Sequence, residues 1–447
     1  MTLPGPSQSS EASAMSASDA AMEAATIRRV SRRLLPFLFL LYVVCYVDRT
    51  NVSFAALQMN RDLGFSAAAY GLGAGIFFLG YAIFEVPSNL ILMRVGARRW
   101  IGRIAISWGV LASAMMLIRS SESFYLMRFL VGVAEAGYFP GIIYYLSLWF
   151  PEQHRARAMA RFAIGIPLAS VLGGPLSGAL LGLDGRLGLA GWQWLFLLEG
   201  IPAVVLGVVA LRYLTDRPEE AHWLPPAERE WLQRRLRTEA SSHHGSATLR
   251  AAFTNPTFWW LCAPYFVFGI CSYALTLWLP IMVKDAVKVS NVGTGLVVGL
   301  VGLATAAGML INGALSDRHS ERVVHAAVPL VLASAGFAAA AIVRQPALAV
   351  VGLALAFVGV HSFMPAFWCL PSALLRGTAA AGGIALINAL GNLGGFFGPN
   401  LVGVVKDVTG SFEGSLLALT GVALLGAILT LTLRRANTSP RAASAQS

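Results

Sequence analysis

The sequence predicts an all-α integral membrane protein of twelve transmembrane helices, arranged as two pseudo-symmetric halves of six. Three observations lead there. Hydrophobic residues make up 56% of the 447 and charged residues only 12%, against about 25% charged in an ordinary soluble domain. Apolar runs long enough to cross about 30 Å of hydrocarbon as helix recur over residues 34–56, 68–92, 99–118, 123–149, 158–182, 191–213, 255–283, 292–316, 324–343, 346–369, 379–403 and 413–433. Six of them precede and six follow the longest charged interval, Thr215 to Leu249. The chain thus divides into a disordered cytoplasmic tail over 1–33, an N-terminal half over 34–213, a central cytoplasmic loop over 214–252, a C-terminal half over 253–434 and a second tail over 435–447.

Met1 to Ala25 is rich in Ser and Ala and lacks the basic-then-apolar order of a signal peptide, so it reads as a tail. The net charge of +11 is scattered at helix ends rather than gathered in one patch, which argues against a nucleic-acid partner and for orientation in a bilayer. With both termini inside, 24 of the 33 Lys and Arg fall on the inner side, 7 on the outer side and 2, Arg49 and Arg128, within spans. The positive-inside rule then places both termini in the cytoplasm. Cys45, Cys262, Cys271 and Cys369 fall in apolar segments without paired spacing, so neither a disulfide framework nor a metal site is expected.

Taken in order, the spans carry charges that lipid would penalise by about 2.5–3.5 kcal/mol each on insertion scales. The first contains "YVDRTNVS". Tyr42, Tyr46, Arg49 and Ser53 share one helical stripe, while Asp48 is turned about 100° from Arg49; which of the two faces a cavity stays open at this stage. In the second span, Tyr81 is a candidate substrate contact and Glu85, beside Pro87, a structural or gating residue. The fourth span carries Arg128 and, two turns on along the same face, Glu135. At about 1.5 Å per residue Asp48 and Arg128 share one level and Glu135 lies near the midplane. Arg49 and Arg128 can offer a guanidinium fork to an anion. Asp48 and Glu135 are the candidate proton carriers, since burial favours the protonated carboxyl. Beside this stands a reading in which the charges only tie helices together as buried ion pairs. Glu199 in the sixth span reads as structural or gating.

Within the central loop, "LPPAEREWLQRRL" has prolines at a helix start and apolar spacing suited to a short amphipathic helix on the inner face. In the second half, Asn388 and Asn392 lie one turn apart among closely spaced glycines and can bond carboxyl or hydroxyl groups. Tyr273 and Trp278 of the seventh span and Trp368 of the tenth offer aromatic walls. His361 reads as a packed, hydrogen-bonded histidine rather than a site residue.

An internal repeat joins the halves. Between spans 8 and 9 "GALSDRHSER" keeps Gly313, Asp317, Arg318 and Arg322, and between spans 2 and 3 "NLILMRVGARR" keeps Arg94, Gly96 and Arg98, with Asn89 and Met93 in the other places. Both resemble the Gly-x-x-x-Asp-Arg-x-Gly-Arg-Arg loop of the major facilitator superfamily, where such residues latch the halves. The strings "YVDRTNVSFA", "GYAIFEVPSNLIL", "RFLVGVAEAGYFPGIIYYLSLWFP", "WQWLFLLEGIPAVVLG" and "NALGNLGGFFGP", in this order, resemble the anion:cation symporter family within it. The resemblance implies the major facilitator fold and a bacterial inner-membrane transporter importing a small organic anion, such as a sugar acid, tartrate or aromatic acid, by proton symport. It also implies proton coupling at Asp48 and Glu135 and substrate contact at Arg49 and the Asn388 to Asn392 segment. The expected partners are that anion and the bilayer, the working unit a monomer, and the coupling ion a proton, with no cofactor. The alternatives are an organic-anion exporter or antiporter of the same fold, or a non-transporting nutrient sensor. No nucleophile constellation or phosphate-binding Gly-Lys-Ser/Thr occurs, so no enzyme is expected.

Overall fold

The structure, a computed structural model, describes residues 6–163, 165–242, 256–374 and 378–438. The N-terminal half is built from α1 (Pro6–Asp62), α2 (Ala67–Val95), α3 (Ala97–Ala114), α4 (Ser121–Glu135), α5 (Tyr138–Trp149), α6 (Glu152–Ala163), α7 (Gly165–Leu180) and α8 (Gly191–Tyr213). After α9 (Pro226–Ser242) come α10 (Pro256–Val287), α11 (Asn291–His319), α12 (Val323–Ile342), α13 (Pro346–Phe367), α14 (Cys369–Leu374), α15 (Thr378–Thr409) and α16 (Phe412–Thr438). Among the described residues ten helical segments are long and apolar enough to cross a membrane; the fifth predicted run appears as the shorter apolar stretch Leu168–Leu183. The eleventh run lies in α15. The all-helical fold class agrees with the expectation.

Two features differ from it. Residues 6–33, expected as disordered tail, continue α1 as helix. The reason is legible afterwards: "DAAMEAATIRRV" has no helix breaker, and Met22, Ile27 and Val30 share a face that packs into the N-half core. Asp19 accepts a hydrogen bond from Trp231 Nε1 at 3.0 Å and Arg29 pairs with Glu228 at 3.2 Å, so the extension docks against α9. Helix α9 is the expected amphipathic helix and begins at a proline, as the missing N–H allows. Residues 1–5, 243–255 and 439–447, with the remaining tail and loop expectations, lie outside the described residues.

The fourth predicted run is two helices. Helix α4 ends on Glu135, Ala136 is extended (ψ 133°), and Gly137 sits at φ 81° before α5 begins. A left-handed backbone costs glycine little. A Cβ on Gly137 would also meet Ser88 Oγ of α2 at 2.6 Å, so both strain and space favour glycine. The break therefore falls one residue past the deepest carboxylate of the half.

The halves meet where α2 packs on α15, α7 on α11 and α1 on α10. The face bearing the termini and central loop is taken as inner. The close approaches of the seam lie toward the other face. A Cβ on Gly71 would meet Pro399 O at 2.5 Å, one on Gly403 would meet Ala67 O at 2.4 Å, and one on Gly174 would meet Gly295 O at 2.6 Å. Tyr70 of α2 donates to Leu277 O of α10 at 2.7 Å. Buried apolar packing runs unbroken across this outer seam from Val52 and Phe78 to Trp278 and Val402. By contrast, the cluster around Leu38, Ile101 and Trp149 contains residues of the N half and the central loop alone. Among the described residues the halves share an apolar cluster toward the face away from the termini and none at the face that bears them.

One outer contact is electrostatic. Asp407 of α15 accepts from the first amides of α2, Ala67 N–H at 3.0 Å and Ala68 N–H at 2.8 Å, capping a helix of the opposite half. An exposed anion at a helix N-terminus contributes ~1 kcal/mol, and only while the outer seam is shut. Asp407→Ala is expected to shift the population about fivefold toward outward-open states. Spin labels at the exposed Arg61 and Glu413 would read this as a longer outer distance; an unchanged distance distribution would remove the contact from gating.

Candidate functional site

Helix α1 presents Tyr42, Tyr46 and Arg49 to a cavity of about 270 Å³ between the halves. The choice between the two neighbouring charges is resolved by the angle between them: Arg49 faces the cavity and Asp48 faces α3. Asp48 is 3% exposed and accepts from Trp108 Nε1 at 2.7 Å and from Asn51 Nδ2 at 2.9 Å. Trp108→Phe deletes that donor and leaves a smaller ring in a fully buried place, so a cavity adds to the cost. Losing a bond to a buried charge costs about 1.5–3 kcal/mol, so a lower melting temperature in detergent is expected; an unchanged one would mean that Asp48 does not depend on this bond.

Arg49 forms an ion pair with Glu135 Oε1, and Cys45 Sγ donates to the same oxygen at 3.3 Å. Glu135 is fully buried, and its other oxygen, Oε2, has no hydrogen-bond partner among the described residues. Arg49 keeps 15% of its side chain exposed, toward the cavity. Its guanidinium carbon lies 5.3 Å from the Tyr81 ring centre, 5.6 Å from Phe77 and 5.9 Å from Tyr46, within cation–π range. Aromatic faces thus hold the cation while one carboxylate neutralises it.

Arg128, expected to contact substrate, lies outside the lining. It is 3% exposed, stands 4.7 Å over the Phe77 ring and donates to Ala74 O at 3.4 Å. It makes no direct ion pair with Asp48 among the described residues, although depth alone placed them level. Trp368, also expected at the site, packs edge-on behind Tyr265 at 4.9 Å instead of lining the cavity.

The opposite wall comes from α10, α11, α13 and α15. Tyr273 O–H donates to Asn392 Oδ1 at 3.1 Å and Tyr265 O–H to Asn388 Oδ1 at 3.5 Å. Both asparagines therefore have their acceptor oxygen engaged and their amino group left as donor. His361, expected only as a packed histidine, lines the cavity. Its Nδ1 donates to Phe357 O at 2.9 Å, because a carbonyl only accepts, and its Nε2 faces Ser272 Oγ at 3.1 Å. A helical stripe of Phe357, His361 and Met364 was the available signal; the Ser272 partner, 89 residues away, left none.

The remaining candidates sit away from the cavity. Glu85 is buried one turn along α2 from Tyr81. Glu199 accepts from Ser177 at 2.7 Å and ties α7 to α8. Arg98 donates through its backbone to Asp216 of the central loop at 2.7 Å, and Arg322 pairs with Asp317 of its own half at 2.6 Å. Arg94 and Arg318 are exposed.

Comparison with known proteins bears on the family and the fold. The sequence matches the Major Facilitator Superfamily over residues 38–399. It is 46% identical over 422 residues to a putative tartrate transporter of Agrobacterium vitis, covering 94% of this chain and 93% of that protein. It is 40% identical to a quinolone resistance transporter of Acinetobacter baumannii, over 90% of this chain and 94% of the relative. Among solved structures, a bacterial homologue of the human lysosomal transporter Spinster, in an inward-facing and occupied conformation, superposes with a TM-score of 0.74. That likeness covers 90% of this chain and 96% of the other at 18% identity, and it speaks for the fold. With two helical halves around a central cavity and a family match across both, the chain belongs to the major facilitator superfamily of membrane transporters.

Proposed function

We propose that this transporter imports a small organic anion, a carboxylate such as a sugar acid, tartrate or aromatic acid, by proton symport across the bacterial inner membrane, with both termini cytoplasmic. The observation that carries the reading is the cavity-facing Arg49 held by a buried Glu135. With Glu135 ionised, the guanidinium is already neutralised and an incoming carboxylate gains little. Protonating Glu135 releases the guanidinium, and a substrate carboxylate takes its place in a charge-assisted, two-pronged contact. Proton and anion therefore strengthen each other's binding, and linkage requires the effect to be mutual. The loaded site carries no unpaired charge while the halves rock about it, whereas Arg49 alone would face a large desolvation penalty. Asp48, in the wall behind, is the second proton-coupling group. The donor groups of Asn388 and Asn392 complete the substrate contacts from the other half. The working unit is a monomer in this reading. The printed name of the Agrobacterium relative points to the same substrate class.

A second reading, export in exchange for protons, has the printed name of the Acinetobacter relative behind it. Proteoliposomes with an imposed inward proton gradient separate the two. Gradient-driven accumulation of a labelled organic acid is expected; extrusion driven by the opposite gradient would favour exchange, and no gradient-driven movement of any organic anion would end the symport reading.

A further inference from the structure

We infer that the anion taken at this site is a monocarboxylate with a flat aromatic body, not a dicarboxylate and not a polyhydroxylated acid. The inference rests on the organic-anion reading above and narrows it.

Charge is the first argument. Arg49 is the one cation among the described residues that line the cavity. Arg128 is turned away onto Phe77 and Ala74. One carboxylate can be met by the guanidinium that protonated Glu135 releases. A second would be stripped of water without a counter-charge, which is strongly unfavourable in a closed site.

The second argument is hydrogen-bond accounting. A sugar acid brings several hydroxyls, and each must find a partner once water is expelled. On the far wall most polar groups are already paired with one another or with backbone. Tyr273 is engaged with Asn392, Tyr265 with Asn388, Ser272 with His361, and Thr305 donates to Val301 O at 2.8 Å. The donors left over on that wall are the two asparagine amino groups and the Thr276 hydroxyl, and these suit a carboxylate oxygen or a ring nitrogen.

Third, the cavity wall is ring-rich. Tyr46, Tyr81 and Phe139 stand on the side of Arg49, and Tyr265, Phe268 and Phe357 face them from the other half. Met309 and Met364 fill in between, and thioether sulfur packs well on aromatic edges. A planar ring can stack or meet these faces edge-on, with a gain beyond simple burial. A cavity of about 270 Å³ suits a one-ring acid.

The test is calorimetric titration of the full chain in lipid nanodiscs, at mildly acidic pH, with benzoate, cyclohexanecarboxylate, tartrate and gluconate. Benzoate is expected to bind at least tenfold more tightly than tartrate or gluconate, with cyclohexanecarboxylate between. Tartrate or gluconate equal to or tighter than benzoate overturns this inference and leaves the organic-anion reading standing. Cyclohexanecarboxylate equal to benzoate overturns the aromatic part, showing an apolar slot indifferent to planarity. Binding of none of the four, by protein that still melts cooperatively, overturns the organic-anion reading and this inference with it.

Discussion

Arg49→Ala is expected to lower anion affinity at least a hundredfold while the protein still inserts in the membrane. Truncating one partner of a buried charge pair costs about 2–5 kcal/mol, and here the lost group is also the cation that meets the substrate. The substitution leaves Glu135 buried without its counter-charge. A carboxyl in that position can take up a proton and become neutral, which limits the damage to folding. Arg49→Lys separates charge from geometry. The ammonium keeps the charge but offers no two-pronged fork, so intermediate affinity is expected. Binding measured in nanodiscs beside a thermal melt checks both variants. Unchanged affinity in Arg49→Ala, with a lowered melting temperature, would favour the view that this charge only ties α1 to α4.

The second large effect concerns Glu135→Gln. Glutamine resembles the protonated carboxyl in shape and charge, so the guanidinium of Arg49 is permanently free for the anion. Counterflow exchange of substrate is expected to persist, because it needs binding and rocking without net proton movement. Proton-driven accumulation is expected to vanish. For one proton carried with one monoanion, a tenfold proton gradient supports about tenfold accumulation, ~1.4 kcal/mol, and the variant should only equilibrate its substrate. Normal accumulation by Glu135→Gln would remove this residue from the coupling.

Much of this architecture can be read before any coordinates exist. Long apolar runs must become helices in hydrocarbon, because each backbone amide needs a partner that lipid does not offer. The predicted crossings and the two halves therefore follow from hydropathy alone. The charges within the spans stand out for a similar reason: their cost in lipid points to a cavity, a partner or both. The extension before Leu34 reads as a tail on composition, and the structure continues the helix through it. Its apolar residues pack into the N-half core and Asp19 meets Trp231, 212 residues away, and such distant partners have no local signature.

What sequence could not supply was direction around each helix axis and its consequences. Asp48 and Arg49 are adjacent in the chain, and a turn of about 100° sends one to Trp108 and the other to the cavity. Arg128 has the right depth and the wrong azimuth, so it stays in the wall. The break after Glu135 depends on how closely α2 approaches Gly137, and the His361 pair depends on α10 meeting α13. Hydrophobicity and charge are properties of residues and survive in a one-dimensional record. Which charge meets which, and whether an arginine serves the wall or the substrate, is set by helix packing, because contacts between distant segments exist only once the halves have folded around each other.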